Sequence, residues 1–177
     1  DSKVQISIAG DSRTWKPHPT KGWWADDGNR LKINGMYEGS LFYGSRFHDS
    51  RLVDTLLKSG TLGSDEIVDA DEYVKDKLSY ILHGTPGKYL GLKKLRNRDI
   101  AKKHGLKNTP YFNDVGGKLI SQYRMSSGEC LLITLLHFVY NAIVRRSLPK
   151  SEFILALIDE IEVALHPIAV YRFLSTI

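Results

Sequence analysis

Apolar residues recur along the chain with different periods in different segments. Near the start, Val4, Ile6 and Ile8 alternate with polar neighbours, which is the pattern of a half-buried β-strand. Residues 47–107 instead place apolar side chains three and four positions apart, which predicts helices. Close to the end, Ile154–Ile158 is an unbroken apolar run, which predicts a strand buried on both faces. These patterns predict an α/β protein.

The change of period divides the chain into three predicted parts. They are a β-rich subdomain at 1–46, a helical lobe with a basic segment at 47–107, and an α/β half-core at 108–177. Within the first part Asn34-Gly35 predicts a hairpin turn. Within the second, Ser64-Asp65-Glu66-Ile67 predicts a capped helix start.

Bulk composition is that of an ordinary globular protein. The 177 residues suffice for a sizeable core, with 42% hydrophobic and 25% charged residues. The longest apolar run, 131–139, is far shorter than the roughly 20 residues that a bilayer requires, and no secretory signal is present. Cys130 is the only cysteine, so an internal disulfide is excluded. We expect a cytoplasmic protein without a membrane segment.

Positive charge is concentrated in one segment. The chain carries a formal net charge of +5, and residues 88–107 hold eight lysines and arginines with Asp99 as their only acid. Such a segment could contact the phosphates of a nucleic acid. It could equally be the solvated face of helices. The sequence leaves both interpretations open.

Two short segments carry candidate chemistry. Asp159 and Glu160 follow the predicted strand, at the end where α/β folds bind ligands. One carboxylate there could hold Mg²⁺, and the other could polarise a water molecule. Upstream, Ser126 or Ser127 is a suitable N-cap, and the N–H groups of a helix N-terminus suit a phosphate. Gly128 would let the backbone approach that anion.

The order of these segments resembles the second half of an ABC-type ATPase head. Residues 125–129 (Met-Ser-Ser-Gly-Glu) correspond to its signature motif, Ile154–Glu160 to a Walker B strand, and 161–167 to a D-loop. The Ser-Gly-Glu signature and the Leu-His-Pro after Walker B resemble RecF, SMC and OLD-type ATPases, and most closely those of Septu and retron antiphage defence systems. The match covers 123–167. The fold it implies is a partial ABC-type P-loop ATPase head with an N-terminal antiparallel β-subdomain and a helical lobe.

The resemblance also implies cofactors and partners. Its cofactors are ATP and Mg²⁺, with Asp159 as the metal ligand and Glu160 as the group that activates water. It implies a head-to-head homodimer or higher oligomer, with nucleic acid and a nuclease or reverse transcriptase as further partners. In that dimer the signature and the D-loop of one subunit cap the ATP of the other. The residues implied to do so are Ser126, Ser127, Gly128, Glu129, Leu165 and His166.

A Walker A loop, Gly-x-x-x-x-Gly-Lys-Ser/Thr, does not occur in the sequence. Gly84–Tyr89 has too short a spacing, and a tyrosine follows its Gly-Lys where the motif needs serine or threonine. Val115–Leu119 has a leucine at that position. The resemblance places Walker A before Asp1 and the switch histidine beyond Ile177. We therefore expect a fragment of a longer ATPase that is inactive alone.

Three functions are compatible with these motifs. The first is an ATPase that couples ATP-driven dimerisation to antiphage defence. The second is a regulatory ATP-binding module that assembles a nuclease or a reverse-transcriptase–DNA complex. The third is a DNA repair ATPase, which would need a long coiled coil. An OLD-type protein would add a C-terminal nuclease domain.

Overall fold

The computed structural model describes residues 4–8, 11–18, 22–25, 33–38, 43–146 and 153–176. The chain forms two compact units: one comprises residues 1–35 and 148–155, and the other comprises residues 36–147 and 156–177. Both helices and strands are present, so the chain is a mixed α/β protein.

The first unit contains an antiparallel meander. Strands β1 (Val4–Ile8), β2 (Asp11–His18) and β3 (Gly22–Ala25) pair in chain order. The alternation read from Val4 to Ile8 is therefore confirmed as a strand.

Two further strands pair over a long distance in the sequence. Strand β4 (Ile33–Glu38) pairs with β9 (Phe153–Ile158) in a two-stranded sheet. The hairpin turn predicted at Asn34-Gly35 is wrong, because both residues lie inside β4. Pairing with a distant strand overrides the local turn preference of an Asn-Gly pair.

The second unit contains a four-stranded antiparallel sheet. Its strands are β5 (Ile67–Asp69), β6 (Leu92–Leu95), β7 (Tyr111–Val115) and β8 (Lys118–Ser121), in that order. The β7–β8 hairpin turns at Gly116-Gly117, which adopt φ of 62° and 83°. Both values fall in the left-handed region that glycine occupies readily.

Six α-helices lie among the described residues. They are α1 (Tyr43–Ser59), α2 (Glu72–His83), α3 (Arg98–Lys103), α4 (Ser127–Val139), α5 (Ile161–Ala164) and α6 (Pro167–Thr176). A π-helical turn, Tyr140–Val144, continues α4.

The segment 47–107 is less helical than predicted, because β5 and β6 lie within it. The helix start predicted at Ser64–Ile67 is wrong: Ile67 begins β5 and pairs with Leu95. The turn chemistry of Ser64 and Asp65 serves a turn before a strand as well as a helix cap. The three-part division itself stays a prediction.

The second unit has two apolar clusters. The larger joins α2, α4 and α6 through side chains such as Leu78, Leu136 and Phe173. The smaller joins α1, α3, β6 and β7 through side chains such as Val53, Leu95 and Phe112.

Within the described residues, one stretch, Ser127–Val144, is long and apolar enough to cross a membrane. The core helix of a globular domain has the same composition. Leu132, Ile133 and Leu136 of this stretch are fully buried in the larger cluster.

Strand β9 is more exposed than its apolar run predicted. Ile154 is 39% exposed and Leu157 is 51% exposed, so the prediction of burial on both faces is wrong for this structure. Among the described strands β9 pairs only with β4. A two-stranded sheet provides no layer on each face, which is what burial of both faces requires.

Candidate functional site

The N-terminus of α4 is held by a capping box. The Ser126 hydroxyl oxygen accepts a hydrogen bond from the Glu129 N–H at 3.2 Å. In return, the Glu129 Oε2 accepts one from the Ser126 N–H at 2.8 Å. This pattern satisfies two of the donors that a helix start leaves open. It confirms Ser126 as the N-cap.

Glu129 has a further partner that the sequence did not reveal. The Tyr89 hydroxyl donates a hydrogen bond to Glu129 Oε1 at 2.6 Å, and the His83 ring lies 3.4 Å from that hydroxyl. Burial alone would raise the pKa of Glu129, but hydrogen bonds from Tyr89 and Ser126 outweigh it and lower the pKa. Burial and the neighbouring carboxylate raise the pKa of Tyr89. Glu129 therefore stays ionised and fixes the helix cap.

Gly128 places the signature segment against the residues that follow β9. A Cβ added at Gly128 would lie 2.6 Å from the Ala164 carbonyl oxygen and 2.8 Å from Leu165 Cδ2. Only a glycine allows this approach, since real Cβ atoms essentially never come within 3.0 Å of a non-bonded heavy atom. The glycine was predicted for close approach of an anion. The structure supplies a different reason for it: packing against the predicted D-loop.

Two helix-start donors are not used by the capping box. The Glu129 N–H bonds to Ser126 and the Cys130 N–H bonds to the Ser126 carbonyl. Within the described residues, the N–H groups of Ser127 and Gly128 have no hydrogen-bond acceptor. Ser126 and Ser127 are exposed, whereas Gly128 is buried. The Ser126 hydroxyl already donates to Glu129 Oε2 at 2.8 Å, so an anion at this helix end would meet the backbone N–H and the hydroxyl of Ser127.

Asp159 and Glu160 both lie exposed directly after β9. Glu160 precedes α5 and adopts φ 57° and ψ 40°, the left-handed conformation. A residue with a Cβ pays roughly 1–2 kcal/mol to adopt it. Such strain concentrates at functional sites, where it fixes the direction of a side chain. The residue predicted to activate water is thus one of two non-glycine residues with positive φ among those described.

Asp159 would hold a metal with few protein ligands. The described residues contain no group of three or more His, Cys, Asp and Glu side chains that could bind a metal ion. Mg²⁺ in nucleotide sites uses one or two carboxylates and takes its other ligands from phosphates and water. An exposed Asp159 at a strand end fits that partial ligand set.

Leu165 and His166 have structural roles at the start of α6. Leu165 is 3% exposed and belongs to the larger core cluster. The His166 carbonyl accepts from the Ala169 N–H at 2.8 Å, and its Nδ1 accepts from the Ile168 N–H at 3.3 Å. Pro167 is the first residue of α6, where proline is favoured. The exposed His166 therefore caps this helix.

A buried polar cluster supports the opposite end of α4. The Tyr111 hydroxyl lies 2.7 Å from His137 Nδ1, and Asn141 lies 3.0 Å from His137 Nε2. Burial lowers the pKa of His137 to about 4, so its ring is neutral near pH 7. These contacts give His137 a structural role within α4.

The basic segment divides into paired and unpaired cations. Lys93 pairs with Asp114 at 3.4 Å, Lys94 pairs with Asp71, and Lys103 pairs with Glu66 at 2.7 Å. Hydrogen bonds from Lys103 and His104 lower the pKa of Glu66 to about 2. The remaining basic residues are exposed and have no carboxylate partner within the described residues: Lys88, Arg96, Arg98, Lys102 and Lys107.

Three of these five unpaired cations lie in α3 or directly before its cap. Asn97 caps this helix by accepting the Ile100 N–H at 2.9 Å. Arg98 and Lys102 are four residues apart and so share one helix face. Arg96 lies just before the cap. Part of the charge is therefore paired with carboxylates. The exposed Arg98 and Lys102, with Arg96 just before the cap, are called the α3 basic face.

No family model, no curated protein and no solved structure matches the chain.

Proposed function

We propose that this chain is part of an ATP-binding and ATP-hydrolysing ABC-type ATPase. It acts as a head-to-head dimer in a nucleic-acid-linked process, of the kind found in bacterial antiphage defence. One observation supports this most: Gly128 packs against Ala164 and Leu165. The capped N-terminus of α4 and the segment after the Asp159-Glu160 pair thus form one packed unit.

The proposed roles follow from exposure and position. Asp159 would hold Mg²⁺, mostly through water. Glu160 would orient the attacking water and accept its proton. Bound ATP supplies the phosphoanhydride bond that is cleaved. The exposed Ser126 and Ser127 and the positive end of α4 would face the γ-phosphate held by the opposite subunit. Glu129 acts indirectly, by fixing the cap.

A second candidate is a regulatory ATP-binding module that assembles a nuclease or a reverse-transcriptase–DNA complex. Several large apolar side chains on β9, α5 and α6 are exposed, and a partner could cover them. Leu157 is 51% exposed, Val163 75%, Tyr171 68% and Leu174 71%. Comparing the ATP turnover rate with ATP-dependent complex formation in the native protein separates the two candidates.

Ser126→Arg is expected to abolish ATP-dependent dimerisation of the native protein. The bulky cationic side chain would occupy the exposed start of α4, where the proposed dimer buries a phosphate. Light scattering with and without ATP measures the mass. Ser126→Ala is the matched control. It removes the same cap hydroxyl, which lowers the stability by about 1 kcal/mol, but it adds no bulk. Its ATP-dependent dimers should therefore persist. ATP-dependent dimers of Ser126→Arg would refute the proposed role across the dimer.

Neutralising the α3 basic face is expected to weaken binding to duplex DNA. Each phosphate contact contributes about 0.9 to the slope of log affinity against log salt. The double variant Arg98→Gln/Lys102→Gln should therefore lower that slope by about 2. The double variant Lys93→Gln/Lys103→Gln removes the same charge from residues paired with carboxylates, and it should change the slope much less. Equal slopes for both doubles would mean that the α3 face makes no specific phosphate contact.

A further inference from the structure

A groove of about 720 Å³ lies between α1 and β8, in the second unit. Its α1 wall is formed by Asp54, Leu57 and Lys58, which are spaced three and four residues apart and so share one helix face. Its other wall is formed by residues 117–121 and Arg124. None of these residues belongs to the proposed ATPase site.

The groove follows the outer edge of the four-stranded sheet, where β8 has no further strand partner among the described residues. Strand β8 is the last strand in the order β5-β6-β7-β8. Successive side chains of a strand point to opposite faces, so a cavity touching five consecutive residues runs along the edge and not over one face. Alternate residues of β8 direct their N–H and C=O groups away from β7. In the described part of the chain, no backbone hydrogen bond outside the β7 pairing engages residues 118–121.

The walls of the groove combine apolar and cationic side chains. Leu57 and Leu119 pack on the smaller core cluster and provide an apolar floor. Lys58 and Lys118 are exposed on the rim and form no ion pair with any described carboxylate. The carboxylate of Asp54 is already bonded by Arg124, whose Nε donates at 3.0 Å. The rim is therefore net positive.

A buried polar atom lies along the same groove. Ser121 is 1% exposed, lines the groove, and its hydroxyl has no hydrogen-bond partner among the described residues. Buried hydroxyls are nearly always bonded, and an unsatisfied one costs about 1–3 kcal/mol. A bound backbone would offer it a carbonyl acceptor or an N–H donor.

We propose that this groove binds an extended acidic peptide segment of a partner protein as a fifth strand beside β8. The open strand edge supplies main-chain hydrogen bonds, as in other cases of strand addition. Alternate peptide side chains would lie on Leu57 and Leu119, and acidic residues between them would meet Lys58 and Lys118. The open strand edge and the apolar floor favour a peptide over a nucleic acid, which would need stacking aromatic side chains or base-edge donors. This docking site does not depend on the proposed ATPase activity.

A phage-displayed library of random linear peptides, selected on the immobilised chain, tests the proposal. We expect enriched peptides that alternate acidic and apolar residues. A synthetic copy should slow amide hydrogen exchange within residues 118–121, and N-methylation of its alternate backbone amides should abolish binding. The double variant Lys58→Glu/Lys118→Glu should bind it at least about tenfold more weakly. Lys88→Glu, at an exposed lysine outside the groove, should bind it as the unmodified chain does.

Three outcomes would overturn the proposal. The first is that no peptide is enriched relative to the charge-reversed double variant. The second is that the selected peptides slow exchange elsewhere, or bind equally well when N-methylated. The third is that a single-stranded oligonucleotide slows exchange at residues 118–121 while the peptides do not, which would make the groove a nucleic-acid surface. Amide hydrogen exchange of Lys58→Glu/Lys118→Glu without peptide shows whether that double variant is folded. Lys118→Ala repeats the binding measurement with a milder substitution.

Discussion

Glu160→Gln is expected to leave ATP binding intact while lowering ATP hydrolysis by about 10²- to 10⁴-fold, the usual contribution of a general base. Glutamine keeps the size and shape of the side chain, but it cannot accept a proton from water. The dimer formed with ATP should therefore persist instead of dissociating after hydrolysis. A nucleotide-binding titration measures ATP binding, and a phosphate-release assay measures ATP hydrolysis, both on this variant of the native protein.

Glu162→Gln is the matched control, because Glu162 is an exposed carboxylate two residues further on, in the first turn of α5. It removes the same charge from the same region, so a general electrostatic effect would appear in both variants. We expect Glu162→Gln to hydrolyse ATP at nearly the unmodified rate. If Glu160→Gln also hydrolyses ATP at the unmodified rate, Glu160 has no part in the chemistry. The regulatory module would then be the better description.

Local signals predicted the parts of the site that depend on neighbours in the sequence. The sequence predicted Ser126 or Ser127 as the N-cap of α4, and the structure has Ser126 there, in a capping box with Glu129. Gly116-Gly117 is a local turn signal of the same kind, and the β7–β8 hairpin turns there. In both cases a few adjacent residues supply all the interactions that define the structure, so the sequence alone was enough.

Interactions between distant residues were not predictable in this way. Tyr89 and Glu129 are 40 residues apart, and no periodicity links them, so their hydrogen bond was missed. Strand β6 reads Leu-Lys-Lys-Leu, a spacing that also suits a helix, and its pairing with Tyr111 and Phe112 of β7 decides the outcome. Lys94 in that strand is buried against Asp71, a charge that looked solvated in the sequence.

Gly128→Ala is expected to lower both stability and activity, even though alanine favours a helix over glycine by about 1 kcal/mol. The added methyl group would lie 2.6 Å from the Ala164 carbonyl oxygen, a backbone atom that cannot rotate away. The side chain of Leu165, at 2.8 Å, can shift, but the backbone must move with the segment that follows Glu160. Overpacking of this kind costs about 1–3 kcal/mol, which exceeds the gain in helix propensity.

The same displacement connects Gly128 to the proposed chemistry. A shift of about 1 Å at a catalytic group can cost on the order of 10²-fold in rate, so hydrolysis should fall further than the loss of folded protein explains. Chemical denaturation measures the free energy of unfolding, and phosphate release measures the activity of the folded fraction. Gly35→Ala is the control, because its added methyl group meets the nearest atom, the Leu155 carbonyl oxygen, at an ordinary 3.7 Å. Unchanged stability of Gly128→Ala would disprove the close packing between the two segments. Reduced stability with full activity per folded molecule would keep the packing and reject its link to catalysis.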